Sequence, residues 1–133
     1  MKVLVCGGRN YGLGDCRNIE TSVFVEALNY LKPQLIINGG ATGADKMATA
    51  YARTKRIPYR IYKADWKKYG RSAGPRRNKA MLKNETIDLV LAFPGGKGTT
   101  DMINKAKDAG ITVIDFTEYF DEHYKDLSEE YHK

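Results

Sequence analysis

The chain has 133 residues, a formal net charge of +6 and two cysteines, with 42% hydrophobic and 29% charged residues. This is the composition of one ordinary globular domain and excludes collagen-like and disordered classes. No run approaches the roughly 18–20 apolar residues of a membrane helix. The leading run Val3-Leu4-Val5-Cys6 is too short for a signal peptide, and Cys6 and Cys16 make no disulfide framework, so a cytoplasmic protein without a membrane partner is expected.

In chain order, a strand is expected over 2–6 and a helix over about 17–31, with Val23, Ala27, Leu28 and Leu31 at helical spacing and a stop before Pro33. A second strand follows over 34–38, then a helix over 43–55 with Ala44, Met47, Ala48 and Tyr51 on one face. Residues 57–62 read as a short edge strand with Pro58 near its start. A loop with Trp66, Tyr69 and Gly70 leads to a helix over about 75–84, which Pro75 can open. A strand over 88–93, a helix over 99–109 ending at Gly110, and a strand over 111–115 complete the pattern. An acidic amphipathic helix is expected from about 117, carrying Tyr119, Phe120, Tyr124 and Leu127 after Phe116. Its apolar face packs on its own sheet or on a second copy, which leaves a homodimer or higher oligomer open. Strict alternation of strand and helix implies an α/β fold: a Rossmann-like open parallel sheet of about five strands flanked by helices, in a single domain over 1–133. Right-handed crossovers then bring the strand-to-helix turns to one edge of the sheet.

Charge is concentrated. Residues 53–83 hold twelve Lys or Arg against the single acid Asp65, whereas 115–133 hold seven acids against two lysines. The basic block fits an anionic partner, either nucleic acid or a phosphorylated small molecule, or else a solvated face opposite the acidic tail. The only histidines are His123 and His132. That disfavours Ser-His-Asp and Cys-His catalysis and a His-rich zinc site. No metal and no cofactor is expected, and any chemistry falls to carboxylates, arginines, hydroxyls and backbone amides.

Ten of the thirteen glycines fall in three groups, each directly after an apolar run. The resulting turns are Gly7-Gly8-Arg9-Asn10-Tyr11-Gly12, Gly39-Gly40-Ala41-Thr42-Gly43-Ala44-Asp45 and Pro94-Gly95-Gly96-Lys97-Gly98-Thr99-Thr100-Asp101. A helix start preceded by glycine offers unpaired N–H groups to an anion, and three such turns on one edge point to a nucleotide site. The dinucleotide fingerprint is absent, and in Gly96-Lys97-Gly98-Thr99 the lysine precedes the glycine, unlike a Walker A motif. Thr99 and Thr100 add hydroxyls that either meet a ligand or cap the helix. Asp45 and Asp101 either serve a ligand or complement a helix dipole. Arg77 and Asn78 open the helix after Ser72-Ala73-Gly74-Pro75, where an arginine opposes the dipole and fits an anion nearby. One of Trp66, Tyr69 and Tyr11 could stack on a base, or each could pack into the fold. Met81 and Leu82 read as core, and Cys6 as a small buried hydrophobe.

These residues carry a resemblance. Cys6-Gly7-Gly8-Arg9-Asn10-Tyr11, Gly39 through Asp45, Ala73-Gly74-Pro75-Arg76-Arg77-Asn78 with Met81, and Ala92 through Asp101 together resemble the small YspA/YpsA-related SLOG-domain family. The resemblance spans about residues 2 to 115. It implies a Rossmann-like fold with a nucleotide-derived ligand at the glycine turns. The wider superfamily includes the LOG phosphoribohydrolases, the DNA-processing protein DprA and sensors of nucleotide signals, and members of the small family occur in phages and mobile elements. In LOG enzymes a Pro-Gly-Gly-x-Gly-Thr-x-x-Glu motif binds phosphate and supplies a glutamate, and an Arg-Lys-x-x-Met motif supplies an arginine. Arg77 falls at the arginine position and Pro94 to Thr99 match the phosphate loop, but the glutamate position falls on Met102. Asp101 lies one residue early, about 100° away around a helix.

The ligand-binding set so defined is Gly7, Gly8, Arg9, Asn10, Tyr11, Gly40, Thr42, Gly43, Asp45, Arg77, Asn78, Pro94, Gly95, Gly96, Lys97, Gly98, Thr99 and Thr100, with Arg77 and Asp101 as catalytic candidates. Three functions fit it. One is a binding module for a nucleotide or ADP-ribose-like ligand, as a sensor or a sequestering protein. The second is a LOG-like hydrolase of the N-glycosidic bond of a nucleoside 5′-monophosphate. The third is DprA-like nucleic-acid binding along the basic segment.

Overall fold

The computed structural model describes residues 1–120. Five strands, β1 (Lys2–Cys6), β2 (Leu35–Asn38), β3 (Tyr59–Ile61), β4 (Leu89–Ala92) and β5 (Thr112–Asp115), form one all-parallel sheet in the order β3-β2-β1-β4-β5. The helices are α1 (Arg17–Leu31), α2 (Ala44–Lys55), α3 (Trp66–Tyr69), α4 (Ala73–Asn84) and α5 (Lys97–Asp108), with a 3₁₀ turn over Gly70–Ser72. This is the α/β Rossmann-like arrangement that the alternating pattern predicts. A helical segment begins over 117–120; Tyr124, Leu127 and the remainder of the acidic helix expected there lie outside the described residues.

The three inner strands are apolar on both faces because both faces are covered. On one side Val3, Val5, Ile36, Leu89 and Leu91 meet Phe24 and Leu28 of α1 and Ala44, Ala48 and Ala52 of α2. Alanines at every fourth position let α2 approach the sheet closely. On the other side Leu4, Ile37, Val90 and Ala92 meet Met81 of α4 and Met102 and Ala106 of α5. The chain builds β1 to β3 outward on one side of β1 and then crosses back to lay β4 on its other side. That reversal, between β1 and β4, is where open α/β sheets leave a crevice at the carboxyl ends of their strands.

Local chemistry sets the ends. Lys32 takes φ 49° after α1 and donates its N–H to Leu28 O, and Pro33 prevents continuation. Gly110, at φ 75°, follows α5 and donates to Lys107 O. Two differences from expectation shape the wall of the site. Helix α4 starts at Ala73, so Pro75 sits inside the first turn, where its missing N–H costs nothing. The expected loop at Trp66–Ser72 is α3 plus the 3₁₀ turn, begun by the Asp65 side chain accepting from Lys68 N–H at 3.1 Å.

Candidate functional site

A cleft of about 570 Å³ opens at the carboxyl ends of β1, β2 and β4. Its floor includes Val5, Cys6 and Met81, and its walls come from the three glycine turns and the α3–α4 segment. Cys6 is buried, and burial, with Asp45 and Asp115 nearby, pushes its thiol far up, so it is an inert part of the floor.

The turns interlock before they offer anything to a ligand. Gly8 N–H donates to Pro94 O at 2.9 Å, and Gly8 O accepts from Ala44 N–H and Tyr11 N–H, both at 3.2 Å. Asn38, fully buried at the end of β2, accepts from Gly40 N–H at 2.9 Å and donates to Thr49 Oγ1 at 3.0 Å. The third turn ends differently. Gly96 is the N-cap of α5 and supplies no side-chain cap, and Thr100 N–H is the donor that closes onto its carbonyl at 3.1 Å. The amides of Lys97, Gly98 and Thr99 therefore precede the first intrahelical bond, beside the cleft.

Arg77 is half-buried and held from several directions. Its Nη1 donates to Gly39 O at 2.7 Å and to Tyr62 O at 3.4 Å, and its Nε donates to Asn78 Oδ1 at 2.9 Å. Burial pulls the guanidinium down and neighbouring Asp45 opposes that. This arginine ties α4 to the β2 turn, leaving Nη2 for other partners. Asp45 accepts from Ala41 N–H at 3.2 Å. Its burial raises the carboxyl to about 6, against the opposing effects of the Ala41 N–H, Arg77 and the Gly39 N–H. Asn78 also donates to Asp101 at 3.0 Å and to Gly98 O at 3.1 Å, and Lys105 donates to both Asp101 oxygens at 2.6 Å. The cleft thus holds two carboxyl groups in unlike settings, one desolvated and one paired with a lysine.

Of the residues expected at the site, Gly7, Gly8, Arg9, Asp45, Arg77, Asn78, Gly96, Lys97, Gly98, Thr99 and Asp101 line this cleft. Asn10, Gly40, Thr42, Gly43, Pro94, Gly95 and Thr100 lie outside its lining. Gly43, Pro94 and Gly95 stand at the crossing of the turns, and Thr100 Oγ1 donates back to Gly96 O at 3.2 Å. Tyr11 is a correction: it is a core residue, not a stacking platform. Its ring packs among Phe24, Phe93 and Phe120, and its hydroxyl donates to Glu20 O at 2.7 Å. On α5, Met102, at the glutamate position of the LOG motif, is fully buried against the sheet, and Asp101, the catalytic candidate beside it, stands on the cleft wall.

Sequence reasoning left Gly39, Ala41, Arg71, Gly74 and Pro75 out of the site, yet all line the cleft. Gly39 stood in the quoted motif and its carbonyl anchors Arg77. Arg71 was hidden among the twelve cations of the basic segment.

A doubly covered parallel sheet with a crevice at its switch point defines a Rossmann-like α/β domain. Comparison of the sequence narrows this further. The sequence model of the YspA, cpYpsA-related SLOG family matches residues 1–69, and the chain belongs to that family. The match takes in the first two glycine turns and Trp66, and ends before Arg77 and the third turn. The chain is also 37% identical over 89 residues to the Gene 61 protein of Mycobacterium phage D29, an alignment covering 62% of this chain and 70% of that protein. No helix among the described residues is long and apolar enough to cross a membrane.

Proposed function

We propose that the protein binds a phosphorylated nucleotide or an ADP-ribose-like molecule in this cleft, as a sensing or sequestering module. SLOG membership supports a nucleotide-related role. The observation that carries the reading is the third turn: first-turn amides of α5 open beside Lys97 in the same cleft as Arg9 and Arg71. Oriented N–H groups and unpaired cations recognise phosphate oxygens together.

A second reading rests on the carboxyl pair. Asp45, raised to about 6, can hold a proton near neutral pH while Asp101 faces the same space. Two acids with divergent environments are the equipment for N-glycosidic hydrolysis, one protonating the leaving base and the other stabilising the oxocarbenium-like carbon.

One incubation separates the readings. The protein is mixed with nucleoside monophosphates, ADP-ribose and cyclic ADP-ribose isomers, filtered off, and the filtrate quantified before and after heat denaturation. A compound that disappears and returns intact on heating supports binding. A growing free-base peak supports hydrolysis. Full recovery of every compound in the first filtrate overturns both and moves short single-stranded oligonucleotides, tested against the 53–83 segment, to the front.

A further inference from the structure

The α3–α4 wall of the cleft has a chemistry of its own. Trp66 opens α3 and lines the cleft while remaining 48% exposed, an unusual state for an indole. Gly74 leaves the ring its room: a Cβ built there would stand 3.2 Å from the indole Cη2. Arg9, arriving from the turn after β1, places its guanidinium carbon 5.3 Å from the ring centroid. An exposed aromatic face held beside a cation forms a slot for a planar ring, because base stacking and cation–π attraction use the same surface.

The charges add a second constraint. Among the described residues, six charged side chains line the cleft, four cationic and two acidic. Arg77 is offset by Asp45, and Asp101 by Lys105. Among the described residues the ion pairs are Arg60–Glu85 and Lys105–Asp101, so Arg9, Arg71 and Lys97 face the cleft without a carboxylate partner. A phosphate monoester brings about two negative charges. Two linked phosphates bring a third.

We propose that the ligand is a nucleotide with two linked phosphates, its base stacked on Trp66 and its phosphates held by Lys97, Arg71 and an Arg9 that has left the ring face. This rests on the nucleotide reading above and adds a base subsite and a phosphate count to it. Arg9 couples the two ends: a base displaces it from the indole, and the phosphates receive it.

Trp66 is the only tryptophan in the chain, so its fluorescence reports on this subsite alone. The full chain is titrated with ADP, GDP, CDP, UDP, the four monophosphates and inorganic pyrophosphate, by fluorescence and by calorimetry. At least one diphosphate should quench Trp66 and bind tenfold or more tightly than its monophosphate and than pyrophosphate. Trp66→Leu should weaken that diphosphate roughly tenfold, the weight of one base–aromatic stack, while pyrophosphate still binds at least as tightly as to the parent chain, because Arg9 no longer has to leave an indole, which shows the variant is folded. Equal affinity for mono- and diphosphates, or calorimetric binding that leaves Trp66 emission unmoved, overturns this inference and leaves the nucleotide reading standing. No binding of any of the nine compounds overturns both.

Discussion

The turns after β1 and β4 lie side by side in the sheet and are equally rich in glycine, yet their glycines answer to different demands. At the first, the chain is crossed by its own backbone. A Cβ on Gly8 would stand 2.7 Å from Pro94 O, and one on Gly7 would stand 2.7 Å from Ala44 Cβ. Gly43, from the turn after β2, completes the knot: a Cβ there would overlap the Gly8 carbonyl oxygen and the Arg9 backbone. Gly95 belongs to the same crossing, since its Cβ would meet Thr99 Oγ1 and Gly8 N. At Gly96 and Gly98 a Cβ would meet nothing within 4 Å. A glycine pair in a sequence therefore has two meanings, room for another backbone or room for something that is not protein. Only the surroundings of the missing Cβ tell them apart.

The sharpest way to break this contrast is at the knot. Gly43 has φ 76° and ψ −126°, a region that side chains other than glycine's avoid, and its missing Cβ is displaced by main-chain atoms that have no rotamer to escape through. Gly43→Ala combines both penalties and should lose about 3 kcal/mol or more of stability. The measurement is the urea midpoint at constant m-value. A loss below about 1 kcal/mol would mean that the turns slide apart easily and that the crossing is not what holds the cleft.

Asp45 stands where knot and cleft meet, and its effect should be next in size. Its folded pKa of about 6 lies above the value of 3.8 that it has when unfolded, so the native state binds the proton more tightly. The stability this contributes is fully present below about pH 4 and is lost as pH rises through about 6. Asp45→Asn keeps an acceptor for Ala41 N–H and removes the titration. It should match the parent chain near pH 4 and exceed it at pH 8 by on the order of 2–3 kcal/mol. Parallel urea titrations across that range check the sign. A parent chain that gains stability between pH 4 and 7 relative to the variant would mean that Arg77 outweighs burial at this carboxyl.

The three inner strands were legible because each is an apolar run followed closely by glycine, and α1 and β1 fall where the spacing predicts. Helix α5 begins two residues before the expected 99, since Gly96 takes the N-cap and Gly98 is tolerated in an exposed first turn. The four residues of α3 are too few to show a period; one aspartate side chain starts them. Within the site, the glycine turns and Arg77 were visible as local motifs. Tyr11 misled because its neighbours in sequence are polar and glycine-rich, while its neighbours in space are Phe24, Phe93 and Phe120. The placing of Asp101 on the cleft wall and Met102 in the core follows from helical spacing. Thr99, Met102 and Ala106 form the buried stripe of α5 at helical spacing, and that stripe leaves Asp101 beside it. The desolvation of Asp45 beside Arg77 had no local signature, because the two residues come from different helices brought together only by the sheet order.

The smallest expected effect tests the open half of the comparison most directly. Gly98 sits in the first turn of α5, exposed, lining the cleft and free of any neighbour that a methyl group would strike. Alanine is the better helix former, so Gly98→Ala should raise stability by about 0.5–1 kcal/mol. The same methyl group would stand beside the amides proposed to receive phosphate, so affinity for pyrophosphate should fall. The two signs must be opposite for the turn to be a cradle. A variant that is more stable and binds as before would show that Gly98 faces only water, and the turn after β4 would lose its claim to be different in kind from the turn after β1.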